Sequence, residues 1–183
     1  MMDMMELAGL IVSPEEWLVF QEAIRLLERD DYAGFYGKFP GVVQRVLFID
    51  NREEFLDFAG ENALDRECVC AALLCERGYG LSVGGYEEDL TPALTGFLQA
   101  REAAFPEVLE IIRREKIYTD CADFDNFKKS LTEVNQVLDS RGLRLAVWED
   151  CVYCDCEYTL LLLKKKLAEQ AARWQSENFE IYL

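Results

Sequence analysis

The residue types best suited to chemistry are Cys151, Cys154 and Cys156, three thiols within the six residues CVYCDC. Thiols at this density can hold a tetrahedral zinc ion, run disulfide exchange, or serve as small apolar side chains. Zinc needs four ligands, and because the chain has no histidine the site would have to be all-thiolate. Cys68, Cys70, Cys75 or Cys121 would have to complete it, yet no second Cys-x-x-Cys supplies the usual paired half-site. For redox work the thiols should lie at a strand-to-helix junction; here they precede a strand-like run, and Glu149, Asp150, Asp155 and Glu157 oppose thiolate formation. The reading that ranks first is structural: alternate residues of a hairpin point inward, and register decides which cysteines do so. No cofactor is expected.

Other catalytic templates are poorly served. Without histidine there is no Ser-His-Asp or Cys-His pair, no imidazole ligand and no histidine general base. Glu87, Glu88 and Asp89, or Glu149 and Asp150, could share a proton or bind a divalent cation, but adjacent acids are ordinary in so acidic a chain and read first as solvated surface. GYGLSVGGYEED is glycine-rich yet lacks both the Gly-Lys-Ser/Thr ending and the GxGxxG spacing of phosphate loops, and reads as a flexible loop that offers Tyr79 and Tyr86 for contact. DDYAGFYGKF sets Tyr32, Phe35, Tyr36 and Phe39 among glycines and acids. Burial against the core is the commoner fate of such aromatics; the alternative is a protein interface, where they act as anchors.

The elements that must position these residues follow from spacing. SPEEWLVFQEAIRLLERDD reads as a capped amphipathic helix, with Trp17, Phe20, Ile24 and Leu27 on one face. DDYAGFYGKFPG then reads as a loop, VVQRVLFI as a strand, and REEFLDFAGENALDRECVCAALLCERGYG as a short and a longer helix closing at Gly78. GLSVGGYEEDL gives a loop with a short strand, Thr91 and Pro92 open a helix to Gln99, and FPEVLEIIRREK gives another. Phe124, Phe127, Leu131, Val134 and Leu138 mark the clearest helix of the second half, stopped by Gly142. LRLAVWED and EYTLLLL pair as strands around CVYCDC, and the tail gives a helix to about Ser176 with a last strand from Phe179. The class is α+β: a single compact domain, 1–183, with a helical acidic subregion over 1–117 packed on an α-β-β-α-β subregion over 123–183 with a small sheet. The connection from the leucine run through the tail helix to the last strand reads as a crossover.

Charge narrows the class of partner. The net charge is −16, with 19 acidic and 7 basic residues in 1–90 against 16 and 12 in 91–183. Such a field repels nucleic acid and anionic membranes and speeds encounter with a basic protein. Lys164, Lys165 and Lys166 are too few to reverse it. The apolar runs are short of the roughly 20 residues a spanning helix needs, MMDMMELAGLIVSPEEW lacks a basic leader region, and seven cysteines without an export signal indicate reduced thiols. A soluble, cytoplasmic protein is expected.

A small, acidic, histidine-free, cysteine-containing α+β chain resembles the bacterial immunity proteins that neutralise toxins delivered by contact-dependent or type VI secretion systems. The ending LAVWEDCVYCDCEYTLLLLKKKLAEQAARW resembles bacterial domains of that setting. The resemblance implies a binding function rather than an enzyme, with an acidic, aromatic-bearing face covering the basic active-site or substrate surface of a cognate toxin. The contact is expected at Asp30, Asp31, Tyr32, Tyr36, Tyr86, Glu87, Glu88 and Asp89. Two other classes stay open: a nucleic-acid mimic that inhibits a DNA-binding or phage-defence protein, and a carboxylate enzyme using a divalent metal at Asp150 or Glu88. Oligomeric state is not legible in the sequence.

Overall fold

The computed structural model describes residues 4–84, 88–115, 117–119, 124–150, 157–173 and 181–182. It has α+β architecture and divides into two compact units, Met1–Tyr79 and Gly80–Leu183. The division falls well before residue 117, so the helices that follow Thr91 belong with the sheet.

The elements of the first unit among its described residues are all helices: α1 Met4–Ile11, α2 Pro14–Glu28, α3 Tyr32–Lys38, α4 Pro40–Leu47, α5 Arg52–Glu61 and α6 Arg66–Glu76. Ser13 caps α2, its hydroxyl accepting from the Glu16 amide at 3.2 Å, with Pro14 in the first turn. The centre of the unit is α6, on which every residue from Cys68 to Leu74 is buried. A helix apolar all round must be surrounded, and α1, α2 and α4 pack against it. Cys68 and Cys70 therefore serve as small core side chains.

Two expectations fail here. DDYAGFYGKFPG is no loop but α3 and the start of α4, and VVQRVLFI is no strand but the body of α4. Asp31 caps α3 through the Gly34 amide at 2.9 Å, and a Cβ on Gly34 would lie 2.5 Å from the Asp31 carboxylate, so that glycine admits the cap rather than breaking the helix. In α4 the buried positions Val42, Val43 and Val46 follow helical spacing.

The second unit contains β1 Gly80–Gly84, β2 Glu88–Asp89, α7 Thr91–Ala100, α8 Pro106–Glu115, β3 Tyr118–Thr119, α9 Phe124–Ser140, β4 Leu143–Asp150, β5 Glu157–Lys164, α10 Lys165–Ala171 and β6 Ile181–Tyr182. The expected α-β-β-α-β order is α9, β4, β5, α10, β6. The sheet runs β1-β5-β4-β6 with every neighbouring pair antiparallel, so β6 shares the sense of β5 across β4, as a crossover requires. Leu145, Val147, Tyr158, Leu160 and Val83 form one core with Leu94, Leu98, Ile112, Phe127, Leu131 and Leu138 of α7, α8 and α9. Alternation sends Ala146, Trp148, Leu161 and Leu163 to the opposite face, where α10 packs on β4 and β5 and buries Ala168 and Ala171. The leucine run is thus buried on both faces because it is a central strand.

Candidate interaction surface

Tyr32 and Tyr36 reach the surface from α3 while their rings rest on Phe55 of α5, which is fully buried. The ring centroids lie 6.4 Å and 5.6 Å from that of Phe55, and Phe35 completes the cluster at 6.3 Å. The Tyr36 hydroxyl donates to the Asp50 carbonyl oxygen at 2.8 Å, tying the segment before α5 to α3. The Tyr32 hydroxyl donates to Asp30 at 3.2 Å. Burial, and then this bond to the carboxylate, raise the Tyr32 pKa above its ordinary value, so the phenol stays neutral and keeps its proton. Both tyrosines are half-buried. Both rings are therefore held in place by packing within the unit.

Exposed acids lie on the same two helices and the segments that lead into them. Asp30 and Asp31 are exposed at the start of α3, and Asp50, Glu53, Glu54, Asp57 and Glu61 are exposed on or beside α5. Glu53, Asp57 and Glu61 recur every four residues, so like charges line one helix face and destabilise the isolated helix by a few tenths of a kcal/mol per pair. Phe48, missed in the sequence because VVQRVLFI reads there as a strand, caps α4 in the left-handed region at φ 56° and is 65% exposed. A phenylalanine held outward at this backbone position gives up apolar burial.

Asp30, Asp31, Tyr32 and Tyr36 belong to the first unit, whereas Glu88 and Asp89 belong to the second, where β2 pairs with β3. The Asp89 carboxylate accepts from the Thr91 amide at 2.9 Å and so opens α7. Tyr86 and Glu87 lie outside the described residues, as do Cys121, Cys151, Cys154 and Cys156. Among the described residues no group of three His, Cys, Asp or Glu side chains is arranged to hold a metal ion, and no helix is long and apolar enough to cross a membrane.

A buried polar side chain of the second unit has a structural role. Asn135 of α9 donates to the Leu145 carbonyl oxygen at 2.9 Å and accepts from the Leu145 amide at 2.8 Å. Asp139, one turn on, binds the Arg144 guanidinium through both oxygens and Lys165 at 3.2 Å, fastening α9, β4 and α10 together. The hydrogen bond from Arg144, then that from Lys165, hold the Asp139 carboxyl below its ordinary value against the opposing effect of burial.

Compared with known protein families, curated proteins and solved structures, the chain matches none.

Proposed function

We propose that this chain is a binding protein of the bacterial cytoplasm that neutralises a cognate toxin by occluding its basic active-site or substrate surface, with no catalysis of its own. The observations that carry the reading lie in the first unit: two tyrosines of α3 fixed on Phe55, an outward Phe48 at the end of α4, and exposed carboxylates along α3 and α5. Rigid aromatics supply affinity where they are desolvated, and a rim of one sign supplies association rate. Phe48 buries little, and Glu53, Asp57 and Glu61 repel one another along α5, so these side chains add little to the fold.

The test is native mass spectrometry of the tagged chain purified from its own host. The expected spectrum shows a stoichiometric complex with a basic protein, lost or strongly reduced in the double variant Phe48→Ser, Asp57→Lys. A chain that carries zinc and no protein would overturn the reading and return attention to Cys151, Cys154 and Cys156.

A further inference from the structure

The sheet of the second unit treats its two edges differently. Along β4, β6 pairs with Val147 and Trp148, and the Asn135 side chain takes both backbone groups of Leu145. That edge is closed by a short strand and a side-chain clip. At the other edge β1 pairs with β5 and, among the described residues, with no further strand. Natural edge strands guard against further pairing with lysine, proline, a bulge or a covering element. β1 is Gly-Leu-Ser-Val-Gly, with no charge and no proline, in a chain of which 30% is charged. Its register against β5 runs unbroken from Gly80 opposite Leu161 to Gly84 opposite Glu157, so no bulge turns the edge away.

The strand is also self-complementary. Read in either direction it is glycine, aliphatic, serine, aliphatic, glycine. An antiparallel partner of the same sequence, related by a twofold axis through Ser82, sets Leu81 opposite Val83 and Ser82 opposite its own copy. Leu81 and Val83 pack on the core shared with α7, α8 and α9, so the aliphatic pairs would extend that apolar face and the serines would meet on the other. We propose that β1 pairs with β1 of a second copy about this axis, joining two four-stranded sheets into one.

The two copies each carry a net charge of −16, whereas the strands that meet carry none. Salt screens the repulsion and leaves the backbone pairing and apolar contacts in place, so the dimer strengthens as ionic strength rises. A complex steered by opposite charge does the reverse.

Sedimentation velocity over a concentration series at low and high sodium chloride measures this directly. The wild-type chain is expected to dimerise, more tightly at high salt. Ser82→Lys and Ser82→Asp each place like charges opposite one another and should weaken dimerisation by about fivefold. Mixing the two variants should restore it, which a folding defect at residue 82 would not allow. Hydrogen exchange of the wild-type chain gives a readout independent of substitution: the β1 amides that face away from β5 should gain protection with concentration. A wild-type chain that stays monomeric at both salt levels overturns the proposal. So does a dimer that neither variant weakens, or variants that mixing does not rescue.

Discussion

At the scale of single residues the most demanding side chain is Asn135. It makes two hydrogen bonds to one buried residue, in the position a neighbouring strand would occupy; only a carboxamide offers a donor and an acceptor at that spacing, and that of Gln sits one methylene farther from the backbone. Asn135→Ala strands a buried amide and a buried carbonyl, and a loss of about 3 kcal/mol is expected in urea denaturation, with the slope unchanged. A trace of this was legible, since Asn135 interrupts the apolar face of the helix at Val134 and Leu138; its partner was not, because Leu145 lies across a turn whose geometry the spacing does not state. Asp139 gives a second prediction, with a pH signature. Its carboxyl titrates below the ordinary value of 3.8, chiefly through the bond from Arg144, so the unfolded chain binds that proton more readily. The contribution is complete above the unfolded value and disappears as pH falls through the folded one. Asp139→Asn should cost about 1 kcal/mol at neutral pH and progressively less as pH falls below 3.8, flattening the acid limb of a melting-temperature profile.

At the scale of elements, caps separate what the sequence states from what it conceals. Ser13 and Pro14 announce α2, and the five apolar positions of α9 with Gly142 behind them announce that helix; both stand where expected, Gly142 at φ 73°. α3 and α4 were hidden by composition. Gly34 and Gly37 argue for a loop until the Asp31 carboxylate is seen to need the space over Gly34, and valines argue for a strand until their burial falls at positions 42, 43 and 46. Propensity is a weak prior, and packing against α6 decides. The cap of α6 is the testable case. Asp65 accepts from the amides of Glu67 and Cys68 at 2.8 Å and 3.1 Å and starts the most buried helix of the first unit. Asp65→Ala is expected to lower stability by about 1 kcal/mol, and Asp65→Asn to retain most of it, in the same denaturation experiment.

At the scale of the whole molecule, the acid excess bears on the proposed binding function. Residues 1–79 hold 16 acidic and 7 basic side chains, and the cations there are partly spent inside the unit: Lys38 and Arg25 on Glu22, Arg66 on Glu28, Arg77 on Glu16. Asp57 and Glu61 lie exposed on α5, and reversing them touches no cap, whereas Asp31 caps α3 and Asp30 receives the Tyr32 hydroxyl. A charge-reversal test of the binding surface therefore belongs on α5. Asp57→Lys with Glu61→Lys should leave circular dichroism unchanged, slow association with the basic partner by about tenfold at low salt, and flatten the fall of the rate with ionic strength. Phe48→Ala should instead leave the rate of association near its original value and speed dissociation, because an apolar anchor acts after encounter. For the second unit, Glu87→Lys with Glu88→Lys tests the remaining carboxylates without disturbing the Asp89 bond to α7. If stopped-flow traces show the salt slope responding to that pair and not to α5, the contact lies in the second unit, and the tyrosines around Phe55 are core residues that happen to reach the surface.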